Sequence, residues 1–191
     1  MKALEDKILA EGKVLPGHVL KVGNFLNQQL DVPFLKTIGD EIARLYADSG
    51  VTKVMTIEAS GIAIATLAAL ALGVPCVVVK KHASANQSKE VWSTQIASYT
   101  HGNVYTAAVA KEYLTQGERV LIVDDFLACG NAIAGMREMI NAAGASLVGC
   151  AIAIEKKFQG GGDALRQEGI RVESLAMVDS MSDDGLTFYR P

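Results

Sequence analysis

The sequence predicts an α/β fold in which helices flank a central, mainly parallel β-sheet. Two observations support this prediction. Segments of strand length, such as "VLIV" at 120–123 and "VGCAIAI" at 148–154, are continuously apolar, which is typical of strands that are covered on both faces. Helix-like segments separate these strands in an order that forms two successive βαβ units.

Length, composition and charge favour one domain that spans residues 1–191. Half of the residues are hydrophobic and one fifth are charged, so the chain can bury a sizeable core. The net charge of −3 gives no extended basic field, and we expect no nucleic-acid partner. Three scattered cysteines without CxxC spacing indicate neither a disulfide framework nor a zinc site and favour a cytoplasmic protein.

The first half of the chain contains two helices and the first βαβ unit. "MKALEDKILAEG" reads as a short amphipathic helix and lacks the apolar run of a signal peptide. A longer amphipathic helix is predicted from Phe34 to just before Gly50. After it come a strand at 51–57, a helix at 62–72 and a strand at 76–80.

The segment 62–79 has no charged residue and reaches the length at which a membrane span is suspected. Gly73 and Pro75 interrupt it, and β-branched residues follow them, so a helix and then a buried strand is the better interpretation. We therefore expect no membrane partner.

The second half begins with "KHASANQSKEVWSTQ", Lys81–Gln95, which is polar and has no clear period. We expect this stretch to be a mobile loop of the kind that closes over a site. A strand-like "NVYTAAVA" follows, and then the second βαβ unit, in which the strand 119–126 runs into the short loop "LACGN" and a helix that ends at Gly144.

Asp124 and Asp125 stand at the carboxyl end of a strand that should be central, where open α/β sheets bind ligands. Two adjacent carboxylates repel each other and are best tolerated opposite a cation or hydroxyl donors. A sugar diol and hydrated Mg²⁺ both qualify. A solvated strand end or a helix cap is the alternative. The small residues of "LACGN" lead into a helix, so their backbone amides can bind an anion such as a sugar phosphate.

The stretch "DDFLACGNA" resembles the 5-phosphoribosyl diphosphate (PRPP) binding motif of type I phosphoribosyltransferases, in which two acids and two apolar residues precede A-T-G-G-T. Further matches occur in order along the chain, in "LPGHVLKVGNFLNQQLDVPF", "TIEASGIA", "KKH", "AAGAS", "IEKKFQ" and "RVESLA". Together they resemble the bacterial members of the family that act on xanthine. The resemblance implies the type I phosphoribosyltransferase fold, with a small hood from residues 1–33 and roughly 155–191, and a cytosolic homodimer.

The resemblance also implies roles for individual residues. Asp124 and Asp125 would be the catalytic acids that contact the ribose hydroxyls. The other implied contacts are Leu20, Asn27 and Lys156 to the base, and Ala128, Cys129, Gly130, Asn131 and Ala132 to the 5′-phosphate. Cys129 replaces the customary threonine and Ala132 the final threonine or serine, so phosphate binding should rely more on backbone amides.

Six positions can be read from their chemistry in two ways. Ser60 and Gly61 open a helix, where backbone amides can meet pyrophosphate, but Ser60 could equally be an ordinary N-cap. Lys81 supplies positive charge for the same pyrophosphate, or is simply solvated. Lys156 can reach a purine carbonyl oxygen, or can be a solvated lysine that pairs with Glu155 or another acid. Two phenylalanines could stack on a base or belong to the core, namely Phe126 and Phe158.

The activity implied by the resemblance is transfer of the 5-phosphoribosyl group from PRPP to N9 of xanthine, which yields xanthosine monophosphate and pyrophosphate. Mg²⁺ would accompany PRPP, without direct ligation by side chains. Two alternatives remain at this stage. One is an enzyme of the same family that prefers guanine or hypoxanthine. The other is a PRPP-sensing regulator without catalysis, although the roughly 15 residues before "LPGHVL" are too few for a helix-turn-helix.

Overall fold

The computed structural model describes residues 1–81, 90–97, 104–182 and 185–190 and has an α/β architecture. Its α-helices are α1 (Lys2–Glu11), α2 (Val32–Tyr46), α3 (Ile62–Leu72), α4 (Asn131–Ala142) and α5 (Gly161–Gln167). Its strands are β1 (Lys13–Leu15), β2 (Val19–Lys21), β3 (Lys53–Ile57), β4 (Cys76–Val79), β5 (Val91–Ala97), β6 (Val104–Ala110), β7 (Arg119–Leu127), β8 (Ser146–Lys156), β9 (Val172–Ser182) and β10 (Gly185–Phe188). A π-helix at Gly23–Asn27 and three short 3₁₀ turns complete the assignment, the turns being Ala47–Ser49, Lys111–Tyr113 and Lys157–Gln159.

Six strands form the central sheet in the order β10-β9-β8-β7-β3-β4, and each neighbouring pair is parallel except β10 with β9. This arrangement confirms the predicted fold class. β7 lies inside the sheet between β3 and β8 and is buried along nearly its whole length. The strand that ends in the two aspartates is therefore central, as its apolar sequence predicts.

Helices cover both faces of this sheet. The apolar sides of α1, α2 and α3 pack on one face, where Ile8, Leu35 and Ile64 are fully or almost fully buried. The other face is covered by α4, α5 and the β5–β6 hairpin, through residues such as Met136 and Ile96. The two cores explain why the strands of the sheet are apolar on both sides.

The predicted helices agree with the structure to within a turn. α2 begins after Asp31, whose carboxylate accepts the backbone N–H of Phe34 at 3.2 Å, a typical N-cap contact. Its α-helical part ends at Tyr46, and the 3₁₀ turn carries the chain to Gly50, which has a left-handed backbone. α3 has the predicted bounds and only 11 residues. In the described ranges, no helix is both long enough and apolar enough to cross a membrane.

Two antiparallel hairpins stand outside the central sheet. β1 pairs with β2, and β5 pairs with β6. The prediction of a loop over Lys81–Gln95 is wrong for its last part, because residues from Val91 onward form β5. In this strand the polar Thr94 lies on the same side as Ile96, against α4, so the sequence shows no clear alternation of apolar and polar residues. Residues 82–89 of that predicted loop lie outside the described residues.

Fewer residues of the segment 155–191 reach the cavity than the predicted hood implies. The segment 155–191 supplies β9 and β10, which are the outer strands of the central sheet on one side. From that segment, Lys156 reaches the cavity described below, whereas the N-terminal hairpin contributes several residues to it. β9 follows a helix and pairs with β8 in parallel, so it extends the βαβ pattern rather than leaving the sheet.

Candidate active site

A cavity of about 770 Å³ opens at the carboxyl ends of β7 and β8. The β1–β2 hairpin, the loop after β7 and the β5–β6 hairpin form its walls. Twelve of the thirteen predicted site residues line it, namely Leu20, Asn27, Ser60, Lys81, Asp124, Asp125, Ala128, Cys129, Gly130, Asn131, Ala132 and Lys156. The fold therefore brings predicted site residues from six separate segments of the chain together around one cavity.

Asp124 and Asp125 are both buried at the floor of the cavity. One oxygen of the Asp124 carboxylate accepts the backbone N–H of Asp125 at 2.9 Å. Burial raises the pKa of Asp124 well above its usual range, and the neighbouring charge of Asp125 raises it further. Burial also raises the pKa of Asp125. Hydroxyl donors or a cation at this point would stabilise the ionised pair.

Asn27 connects the N-terminal segment to these acids. It is the last residue of the π-helix, and its Nδ2 donates to Oδ2 of Asp125 at 3.2 Å. This hydrogen bond favours the ionised carboxylate and so opposes the effect of burial on the pKa of Asp125. Asn27 thus lines the cavity as predicted, but its amide contacts an acid that is assigned to the sugar.

The loop Ala128–Gly130 joins β7 to α4 and has the form of an anion site. Gly130 has φ 88°, a left-handed conformation that glycine adopts without strain, and α4 starts at the next residue. The first turn of a helix has N–H groups that no intrahelical carbonyl can accept. Gly161, at the start of α5, holds the loop from behind, because its N–H donates to the Ala128 carbonyl at 3.1 Å.

The loop between β3 and α3 contributes Ser60 to the cavity. The N-cap of α3 is Gly61, and no side chain caps this helix, so the alternative role of Ser60 as an N-cap is wrong. Gly61 is the one predicted residue that does not line the cavity. A Cβ there would lie 2.6 Å from Oδ1 of Asp124 and 2.5 Å from Oγ1 of Thr56, so glycine permits this loop to approach the acids closely. The Glu58–Ala59 peptide bond in the loop is cis.

Lys81 follows β4 and contacts the β3–α3 loop that contains Ser60. Its backbone N–H donates to a carboxylate oxygen of Glu58 at 2.5 Å, and its ammonium lies 5.3 Å from the ring centroid of Tyr105. Lys80 pairs with Glu58 at 3.3 Å, whereas Lys81 forms no ion pair within the described part of the chain. Lys81 therefore offers a positive charge to the cavity.

Another part of the cavity wall is formed by Leu20, Lys156 and the turn of the β1–β2 hairpin. Nζ of Lys156 donates to the backbone carbonyl of His18 at 2.8 Å and lies 5.6 Å from the ring centroid of Phe126. Burial lowers the pKa of Lys156. The alternative pairing of this lysine with Glu155 is wrong, because the buried Glu155 pairs with Arg166 at 2.6 Å.

The two phenylalanines that were considered for stacking differ in position. Phe126 is partly buried and lines the cavity. Phe158 is 39% exposed and is not among the lining residues, and its ring centroid lies 5.4 Å from that of His18. The structure thus favours Phe126 for contact with a flat ligand.

Sequence reasoning missed several contributors to the cavity walls, and His18, Ile96 and Tyr105 are three of them. All three lie in hairpins outside the central sheet, at positions whose spacing to the motifs carries no signal. The positive φ of 58° at His18 was equally hidden, although the "PGH" turn that contains it could have indicated a tight hairpin.

Metal-ligating side chains are few around the cavity. In the described ranges, no group of three or more histidine, cysteine, aspartate or glutamate side chains is arranged to hold a metal ion. The two aspartates present carboxylate oxygens, which suit Mg²⁺, but they would leave most of an octahedral coordination sphere to water and ligand atoms.

Comparison with known proteins identifies the family and relatives to which this sequence is similar. The sequence matches the phosphoribosyl transferase domain family over residues 27–164. It is 47% identical over 191 residues to the xanthine phosphoribosyltransferase of Lachnoclostridium phytofermentans, covering 100% of this chain and 98% of the relative. It is 48% identical over 189 residues to xanthine phosphoribosyltransferase 1 of Clostridium perfringens, covering 98% and 100%.

Solved structures share the fold at lower sequence identity. An adenine phosphoribosyltransferase from Giardia lamblia, complexed with 9-deazaadenine, superimposes with a TM-score of 0.78 at 23% identity, over 91% of this chain and 97% of that one. The corresponding enzyme from Rhodothermus marinus gives a TM-score of 0.75 at 20% identity, over 93% and 99%. At these identities the likeness establishes the architecture alone.

Proposed function

This chain belongs to the phosphoribosyltransferase family, and from that premise we propose that it transfers the 5-phosphoribosyl group of PRPP to N9 of xanthine. The C1′–oxygen bond to the diphosphate breaks, the C1′–N9 bond forms, and pyrophosphate and a proton are released with xanthosine monophosphate. Relatives named for this activity match the chain over nearly its whole length. The observation that carries the proposal is the meeting of paired acids, an anion loop and a base-side lysine in one cavity.

We assign the sugar phosphate to the end of β7. Asp124 and Asp125 accept hydrogen bonds from the ribose hydroxyls, which offsets the cost of burying two carboxylates. The 5′-phosphate binds Ala128–Ala132 through backbone amides and the N-terminus of α4. With cysteine and alanine in place of two hydroxyl residues, the amides supply most of this contact.

The pyrophosphate group is assigned to the side of the cavity that carries Ser60 and Lys81. Departure of pyrophosphate leaves negative charge on its oxygens and positive charge on the sugar, so a cation there stabilises the transition state. Gly61 contributes by letting the loop pack against Asp124 rather than by a side-chain contact.

The base is assigned to the end that contains Leu20, Phe126 and Lys156. Leucine and phenylalanine provide apolar contact for the purine faces, and the ammonium donates to an exocyclic oxygen, which favours oxopurines over adenine. The backbone contact of Lys156 with His18 orients its ammonium before the base arrives. Asn27 lines the same cavity and donates to Asp125.

Magnesium is best treated as part of the PRPP substrate. The carboxylate oxygens of Asp124 and Asp125 are chemically suited to Mg²⁺ or to its bound water, while the diphosphate provides further oxygen ligands. When bound, the ion neutralises charge on the leaving pyrophosphate. The proposal includes a cytosolic homodimer, and sedimentation of the purified protein tests the dimer.

The decisive experiment is a steady-state assay with PRPP and Mg²⁺ in which xanthine, guanine and hypoxanthine are compared by kcat/KM. We expect xanthine to give the highest kcat/KM. Each of the single variants Asp124→Asn and Asp125→Asn should abolish turnover. A protein that binds PRPP but consumes none of the three bases would instead be a sensor. A higher value for guanine or hypoxanthine would refute the assignment of xanthine.

A further inference from the structure

The β5–β6 hairpin is fixed to the helix that begins at the phosphate loop. Asn131 Nδ2 donates to the Ala97 carbonyl at 3.1 Å. A Cβ at Gly135 would lie 2.6 Å from Cδ1 of Ile96, so α4 and β5 are in close contact there. Thr94 adds a hydrogen bond to Glu138 on the same helix. The hairpin is therefore a defined wall of the cavity rather than a loose appendage.

Tyr105 is presented to the cavity by this wall. It lies opposite Ile96 in the register of the hairpin, is partly buried, and lines the cavity. Burial raises the pKa of its phenol, and the nearby charge of Asp124 adds to the effect, so the ring is neutral under all ordinary conditions. The hairpin is also joined to the end of β4 by the bridge between Lys80 and Ala108, with both backbone hydrogen bonds at 2.9 Å.

These contacts bring the Tyr105 ring to Lys81. The ammonium lies 5.3 Å from the ring centroid, within the distance of a cation–π interaction. The backbone of Lys81 is held separately, through its N–H to Glu58 at 2.5 Å. A lysine side chain has four rotatable bonds and loses much rotamer entropy when it is fixed, so a partner for the ammonium decides where the charge resides.

We propose that Tyr105 is a positioning residue that holds the Lys81 ammonium at the pyrophosphate end of the cavity through a cation–π contact. The proposal rests on the proposed function, because it assigns Tyr105 to the pyrophosphate part of that site. It makes Tyr105 important for ligands that contain pyrophosphate and unimportant for ligands that contain only the sugar phosphate.

The test is a double-mutant cycle between Tyr105→Leu and Lys81→Met in the full chain. Affinities for magnesium pyrophosphate and for ribose 5-phosphate are measured by calorimetry. Tyr105→Leu should weaken magnesium pyrophosphate binding about threefold to tenfold, with ribose 5-phosphate unchanged. In the Lys81→Met background, the same tyrosine substitution should cause no further loss. Tyr105→Phe, which keeps the ring, should bind like the unaltered protein.

Two further variants act as controls. Tyr189→Leu removes a second lysine–tyrosine contact, in which Lys157 lies 4.6 Å from the ring and neither residue lines the cavity, and it should leave both affinities unchanged. Tyr105→Gln is a second variant without a ring and should repeat the result of Tyr105→Leu. Thermal melting verifies that each variant is folded.

Several results would overturn the proposal: additive losses in the cycle, equal weakening of ribose 5-phosphate, or a loss in Tyr105→Phe as large as in Tyr105→Leu. The proposed function fails separately, if the unaltered protein converts no oxopurine while the cycle still shows coupling for pyrophosphate. If the unaltered protein does not bind pyrophosphate at all, both proposals fall.

Discussion

Replacement of Asn27 by alanine is expected to make PRPP binding more sensitive to acid. The Asn27 amide donates to Asp125 at 3.2 Å and stabilises the ionised carboxylate, whose pKa burial has already raised. Without this donor the pKa of Asp125 rises further, so the carboxyl group is protonated over a wider acid range. If the ionised form accepts the ribose hydroxyls, affinity falls on the acid side and recovers as pH increases.

The size of this effect follows from the contact. A hydrogen bond to an ionised group contributes about 1.5–3 kcal/mol, and the N···O distance of 3.2 Å is at the long end of the range, so the lower figure applies. It corresponds to about a tenfold loss of PRPP affinity at acid pH. At alkaline pH the two proteins should converge, because Asp125 is ionised in both.

The assay is calorimetric titration with PRPP and Mg²⁺ across the acid to alkaline range, without any base, so that loss of a base contact does not contribute. Asn24→Ala is the matched control, since Asn24 lies in the same π-helix and donates to the exposed Glu11 at 3.1 Å, away from the cavity. A loss that is equal at every pH, or no loss at all, would refute the role given to the Asn27–Asp125 hydrogen bond.

Three other predictions follow from the site. Asp124→Asn should raise the melting temperature at neutral pH, by about 2–4 °C for each kcal/mol gained. The reason is that the Asp124 carboxyl group has a higher pKa in the folded protein than in the unfolded chain, so its ionisation at neutral pH costs stability. The gain should disappear in acid, where the carboxyl group is protonated in both states. Lys156→Met should lower kcat/KM for xanthine about tenfold or more without changing KM for PRPP, and Lys157→Met, which loses an outer ion pair with Asp163, is the control. Cys129→Ala should change KM for PRPP less than about threefold if backbone amides bind the phosphate, and a larger change would show that the side chain takes part.

The parts of the fold that depend on local pattern could be predicted from the sequence. The bounds of α3 follow from an apolar run that Gly73 ends in a left-handed conformation, and the place of β7 inside the sheet follows from its continuous apolar residues. β5 could not be predicted, because a hairpin strand with one solvated face and a mixed sequence has no distinct period. Its pairing with β6 is visible only in three dimensions.

The candidate site, too, contains residues that could be predicted from the sequence and contacts that could not. Residues of the motif that ends β7 and leads into α4 were recognisable because they are adjacent in sequence. In contrast, Asn27 meets Asp125 across 98 positions, and Tyr105 meets Lys81 across 24. The resemblance located Asn27 at the base, but only the structure showed its contact with the acid. Contacts between segments that are distant in sequence are set by packing, and no spacing rule records them.

The environment of the two aspartates argues against their structural alternatives. A solvated strand end would leave both carboxylates exposed, yet both are buried. A helix cap would show one of them accepting an N–H from the first turn of α4, but that helix has no side-chain cap. Their raised pKa values mean that ionisation costs the folded protein free energy at neutral pH. Such a pair does not stabilise the fold, and a ligand that donates hydroxyl hydrogen bonds to it gives the arrangement its physical reason.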